Sequence, residues 1–482
     1  MVFSPSLLLG QDAENYYTLK RVIEIAKKQS PEALSAQHRF RSSYWQYRTY
    51  LAAYRPQLKM SLTIPNYSKS ISSIQQDDGS FSFRSSNYTR WSGGLSLSQK
   101  IGPTGGEVFV NSNIDRMDLY DNPTLTSYMT TPVNIGFSQP LFSYNSYKWE
   151  KRIEPLKYKE AKQKYLEEME QVSITAINYF FNVLQAQIRY DIDKVNLANN
   201  DTLYKIAQGR YNIGTIAENE LLQMELRYLN SKSSLRESEL ELNNRVFYLK
   251  SYLRLPEWEE IKLIPPINVL NIEVDPRKAK EEALKNRSDV LSFDRKLLEA
   301  QSSVSRAKSD GRFSASLYAV YGLTQSAEDI EDAYKEPSEQ QQVMVGISIP
   351  IIDWGLAKGK IKMAESQQEL VKTSVEQERI DFNQEVYLKV MKFNIQNSQL
   401  HIASKSDTVA QKRYEVTKQR YIIGKIGITE LNIAQTEKDN SKMGYVAALH
   451  NFWQQYYQVR KLTLFDFKDN REIFVDPEYL LE

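Results

Sequence analysis

The sequence predicts a mainly helical chain with membrane β-strands, built from a duplicated unit of a strand pair followed by a long helical hairpin. Three observations predict this. Arg210-Tyr211-Asn212-Ile213-Gly214-Thr215-Ile216, running on to Glu220-Leu221, returns as Arg420-Tyr421-Ile422-Ile423-Gly424-Lys425-Ile426, running on to Glu430-Leu431, at an offset of 210. The same offset relates Gly136-Phe137-Ser138-Gln139-Pro140 to Gly346-Ile347-Ser348-Ile349-Pro350. Two landmarks sharing one offset define an internal repeat, which decides the fold before any local reading does. The third observation is that Leu156 to Ala207 holds neither Pro nor Gly, a stretch several times longer than a typical globular helix of about 11 residues.

In chain order, residues 1–12 hold a short apolar patch without a basic lead. It reads equally as the clipped end of a secretory signal or as local composition. Residues 17–56 read as helix broken at Ser30-Pro31. Gln57 to Ile64 alternates, with Leu58, Met60, Leu62 and Ile64 on one side and Gln57, Lys59, Ser61 and Thr63 on the other, a half-buried strand that Pro65 ends. Val133, Ile135, Phe137 and Leu141 give a matching strand around Pro140. Between the two lies a polar stretch with a possible extra hairpin, Gly94–Gln99 and Glu107–Val110, joined through Gly102-Pro103-Thr104-Gly105-Gly106. Pro155 suits a first helical turn, or a kink in a helix begun near Tyr147.

Ile174, Ile177, Phe181, Leu184, Ile188, Ile192 and Val195 then step by 3 and 4, an amphipathic seam. The helix turns at Gly214 and returns over about 217–252, since a residue tolerating positive φ is what a helix C-terminus needs. The second repeat replays this order: a helix over 277–309, strands near 312–323 and 342–352 ended by Pro350, a helix over 356–421 carrying Phe382, Val386, Val390 and Phe393, and a return over 428–464. Repeat one thus covers 17–274, with barrel strands near 57–65 and 131–142 and its tip near 210–216. Repeat two covers 275–465 with its tip near 420–426, and 466–482 is an acidic-aromatic tail.

Composition excludes several function classes. Lys and Arg number 62 against 60 Asp and Glu, a net charge of +2, so bulk charge gives no sign of nucleic-acid binding. Apolar runs of 18 residues are missing from the sequence, so no transmembrane helix is expected. There is no cysteine, and His38, His401 and His450 show no ligand spacing, so neither metal nor cofactor is expected. Paired-carboxylate, Ser/His/Asp and phosphate-loop motifs are missing too, and the reading is not an enzyme.

Strands with one apolar and one small or polar face suit a barrel between lipid and water. Four strands cannot close a barrel, and an open edge is forbidden in hydrocarbon, so closure falls to symmetry-related copies. Three copies give 12 strands if the extra hairpin lies outside the membrane, the favoured reading, and 18 if it spans. The competing reading is a soluble coiled-coil scaffold with two short hairpins.

The chain resembles the TolC-like outer-membrane efflux protein family. The resemblance rests on Thr18-Leu19 to Pro31, on Ala53-Tyr54-Arg55-Pro56-Gln57-Leu58, on Asn286-Arg287-Ser288-Asp289, and on the paired Gly-x-Ser-x-Pro strand ends and Arg-Tyr-x-Ile-Gly turns. It implies a homotrimer: a 12-stranded outer-membrane β-barrel continued by a periplasmic α-helical barrel, with a mixed equatorial region from residues 255–276 and the tail after Thr463. The implied function is passive export of drugs, metals or proteins, with outer-membrane lipid, a periplasmic adaptor protein and an inner-membrane pump as partners. The family's acidic position after each turn falls on Glu220 and Glu430, which the resemblance makes gate or selectivity candidates; each equally reads as a first-turn glutamate stabilising a helix start. The chain departs from the family where a second acidic position is Ile433 and a basic latch position is Ile426, which suggests a gate shut by apolar packing. Arg210, Tyr211 and Gly214, with Arg420, Tyr421 and Gly424, are the expected adaptor-docking turns, against a purely capping role.

Overall fold

The computed structural model describes residues 16–77, 79–120, 123–266, 272–476 and 478–479. The apolar patch at 1–12 and Ile267-Asn268 of the connector lie outside them. Helix α1 (Leu19–Gln29) starts on Thr18, whose hydroxyl accepts from the Arg21 amide, and stops at extended Ser30 because Pro31 follows. Helix α2 (Pro31–Ala53) precedes strands β1 (Gln57–Gln75), β2 (Phe81–Ile101), β3 (Gly106–Leu119) and β4 (Leu125–Leu141). Helices α3 (Ser146–Asn212), α4 (Glu218–Leu253), α5 (Pro276–Asn286) and α6 (Ser288–Asp310) follow, then β5 (Ser314–Ala327), β6 (Ser338–Ser348), α7 (Leu356–Ile422) and α8 (Ile428–Thr463). Both α3 and α7 have 67 residues, about 100 Å at 1.5 Å per residue. Two compact units result, one of residues 44–158 and 292–376, the other of 1–43, 159–291 and 377–482.

The first of these units holds a six-stranded antiparallel sheet in the order β1-β2-β3-β4-β5-β6. Four strands were expected, so the strand count is corrected. The inserted stretch forms β2 and β3, paired in register between β1 and β4 rather than lying outside the sheet. Directly opposed residues share a face, and the register lines up one apolar face across all six strands. Leu58 faces Leu97, Leu97 faces Val110, Val110 faces Ile135, Ile135 faces Tyr321, and neighbouring Ala319 faces Val343. On the other face Lys59 is opposite Ser96, Ser96 opposite Asn111, and Asn111 opposite Asn134. Gly136 lies there beneath Phe109, whose ring would overlap any Cβ.

Pro65 does not end its strand. It sits where the β1 register shifts between Thr63 and Asn66, and β1 is an edge strand, where a missing N–H breaks no ladder.

In the other unit the core is aromatic: Phe180, Phe181, Phe393 and Phe452 are fully buried, with the Phe393 and Phe452 rings 5.5 Å apart. Phe382, Val386 and Val390 are buried as their spacing predicts, as are Ile174, Ile177, Phe181 and Leu184. Beyond Leu184 the expected seam is corrected: Val195 is exposed, and Asp193, Asn196 and Asn200 are buried instead. The helix expected over 277–309 is two, α5 and α6, broken at extended Arg287. Glu167 accepts from the Ser288 amide at 2.9 Å and pairs with Arg287 at 3.3 Å, while Asn286 donates to the Thr463 carbonyl. The Asn286-Arg287-Ser288-Asp289 motif is thus a helix break clamped by neighbours. Buried Glu170 pairs with Lys27 at 2.8 Å and Arg460 at 3.0 Å. Burial opposes its ionisation, but those two cations hold its carboxyl below the usual range.

Candidate functional site: the paired hairpin tips

Both tips are built alike. Gly214 and Gly424 adopt φ of +70° and +75°, the left-handed conformation that glycine takes without steric cost. The Gly214 amide donates to the Tyr211 carbonyl and Thr215 to Arg210, each at 2.9 Å; Gly424 donates to Tyr421 and Lys425 to Arg420 at the same distances. Glu220 and Glu430 lie in the first turns of α4 and α8, where a carboxylate offsets the exposed N–H groups.

The two tips differ in what surrounds them. Arg210 donates to the carbonyls of Tyr421 at 3.3 Å and Ile422 at 2.7 Å, with its guanidinium 5.5 Å above the Tyr421 ring. It satisfies the last carbonyls of a helix from the other repeat. Tyr421 is only 4% exposed, in a cluster with Leu203, Ala207, Met224, Tyr414, Ile428, Leu431 and Ala434, whereas Tyr211 is 40% exposed. Burial raises the Tyr421 hydroxyl pKa against the lowering effect of Arg210, and pushes Tyr414 up to about 12. Ile426 packs on this cluster beside Ile216 and Leu221. Ile433 is exposed and does not join it.

Above the tips is a polar layer that the sequence reading missed. Arg227 donates to Gln435 at 2.9 Å, Asn196 to Asp439 at 2.8 Å, and Lys438 lies 4.5 Å from the Tyr414 ring centre. Burial lowers the Arg227 pKa from its ordinary value. The available signal was Asp193, Asn196 and Asn200 where the apolar seam should continue.

The site is thus a pair of like-built tips on two long helical hairpins, in a chain whose six-stranded sheet is apolar on one face and polar on the other. Residues 280–463 match the outer membrane efflux protein family, and over that part the chain is similar to it. By structure it is similar to the Campylobacter jejuni CmeC outer membrane channel at 16% identity, covering 96% of this chain and 88% of that one, with a TM-score of 0.68. It is also similar to the Neisseria gonorrhoeae MtrE outer membrane channel in its open state, at 13% identity over 95% and 91% of the two chains, TM-score 0.64. The Vibrio cholerae outer membrane protein VceC gives 12% identity over 95% and 97%, TM-score 0.63. At these identities the likeness is one of fold. Among curated proteins, none matches the chain by sequence.

Proposed function

We propose that the protein is the outer-membrane subunit of a tripartite efflux or secretion system: a passive homotrimeric duct, without chemistry of its own, receiving cargo from a periplasmic adaptor and an inner-membrane pump. One observation carries the reading. The six-stranded sheet has a continuous apolar face of exposed residues, among them Leu58, Met60, Leu62, Leu95, Leu97, Val343, Val345 and Ile347, and both β1 and β6 are edges. A soluble scaffold has no use for so large an apolar surface. In lipid the same surface is an asset, and the two edges demand partners.

Three copies of a six-stranded sheet close eighteen strands rather than the twelve expected from four per copy. At the tips, Ile426 and its cluster hold the duct shut by apolar contact, Glu220 and Glu430 form a carboxylate ring that favours cations, and the turns at Gly214 and Gly424 receive the adaptor.

Membrane fractionation with native mass determination of the detergent-extracted protein tests this. An outer-membrane species of three 56.0 kDa protomers is expected, and a monomer or dimer needing no detergent would overturn it. For the gate, Ile426→Arg is expected to raise the conductance of the purified trimer, and unchanged conductance would refute the apolar lock.

A further inference from the structure

The duplication allows one observed contact to locate another. Arg210 ties the first-repeat tip to the second-repeat tip inside one chain, through the Tyr421 and Ile422 carbonyls. Its counterpart at the 210-residue offset, Arg420, is exposed and makes no side-chain hydrogen bond among the described residues. The acceptors at the same offset from Tyr421 and Ile422 are the carbonyls of Tyr211 and Asn212, at the C-terminus of α3. That helix end has the same chemistry as its counterpart: final-turn carbonyls and the negative end of the helix dipole, which a guanidinium suits.

Two further asymmetries mark the same vacancy. Tyr421 is buried under Arg210, whereas Tyr211 is exposed with no cation above it among the described residues. The Arg210 guanidinium lies 3.8 Å from where a Cβ would sit on Gly424, while the equivalent position at Gly214 meets nothing within 4 Å. The tips are built alike, yet only one is occupied.

We propose that Arg420 fills this vacancy on a second copy of the chain, donating to the Tyr211 and Asn212 carbonyls of its neighbour. The proposal rests on the trimer reading above. In a ring of three chains the six hairpins alternate between first and second repeats, so every seam within a chain has a counterpart between chains. The seam between chains is the more polar of the two. Buried Leu203, Ala207 and Ile428 of the inner seam correspond to Arg413, Thr417 and Glu218. With less apolar contact there, Arg420 is the main fastener between subunits at the tip.

The chain contains no cysteine, so paired cysteines report without background. In the full-length protein extracted in detergent, Arg420→Cys with Asn212→Cys is treated with a short bis-maleimide and run on a denaturing gel. Covalent dimers and trimers are expected, and either single variant should give none. Arg210→Cys with Ile422→Cys is the internal control and should link within one chain, changing mobility but not mass. Arg420→Cys with Tyr211→Cys repeats the test if the first pair does not assemble. A double variant that is trimeric by native mass yet gives no interchain product overturns the Arg420 contact and leaves the duct standing. A wild-type protein that is not trimeric by native mass overturns both.

Discussion

The helical unit and the sheet unit solve opposite problems with the same apolar residue types. Between α3, α7 and α8 the large aromatic side chains Phe180, Phe181, Phe393 and Phe452 are inside, and Phe452 is 0% exposed, though α7 also turns Leu388 and Ile402 outward. On the sheet they are outside: Leu62 is 56% and Val345 59% exposed. In water only the first arrangement is stable, because burial of apolar surface drives folding. The second is stable where the surroundings are themselves apolar, and there strand order is held by ladder hydrogen bonds rather than by a core. One chain thus carries two arrangements, an aromatic core buried between helices and a sheet whose apolar face is open along its length.

That contrast can be broken at several points. The largest effect is expected from Phe452→Ala, which empties space beside Phe393. A cost of about 3–5 kcal/mol is expected for such a truncation, read as a lowered denaturation midpoint of the helical signal. Val345→Ala, removing similar chemistry from the exposed sheet face, should move the same midpoint hardly at all. Next, Val345→Arg should impair insertion by about 2–4 kcal/mol if the residue lies near the bilayer midplane, visible as loss of the folded band on an unheated gel. Ser96→Arg, on the opposite face, should insert nearly normally. Equal losses for the two would dissolve the distinction between faces.

Glu170→Gln probes a deeply buried carboxylate of the helical unit that is held between two cations. About 2 kcal/mol is expected, below the value for a fully buried pair because Lys27 is partly solvated. Since the folded pKa is depressed, this stability is present above the ordinary carboxylate value and is lost as pH falls through the lower folded value. The wild type should therefore lose stability more steeply on acidification than the variant, and parallel acid titrations would contradict that. A smaller effect than these losses is expected from Gly214→Ala, at about 1 kcal/mol for a left-handed residue with open space around it, read as a modest shift in thermal midpoint.

Much of this was legible in the sequence, for reasons that also explain the failures. The helical hairpins and their turns could be placed from periodicity and from glycine at the tips, because those signals are local. Strands β1 and β4 were visible where one face was plainly apolar. The hairpin of β2 and β3 was legible only as a possible short one over 94–99 and 107–110, because Ser, Asn and Gly alternate with few large apolar residues along the rest of it, and its register with β1 and β4 is a long-range property. The break at Arg287 carries no Pro or Gly, being imposed by Glu167 and by carbonyls of α8, so no local signal could have shown it. The link from Arg210 to the second repeat was equally unreadable: its residue type suggested capping, but not which helix it caps.

The length of β1 and β2 has one more consequence. They have 19 and 21 residues, about twice the 9–11 that a tilted strand needs to cross hydrocarbon. On the duct reading roughly half of each therefore stands clear of the bilayer, at the end remote in sequence from the connections to α2 and α3. On the duct reading that end is outside the cell. A labelled binder raised against the 66–90 hairpin would then count the protein on intact cells, and mild protease would shave it while leaving the buried aromatic core untouched.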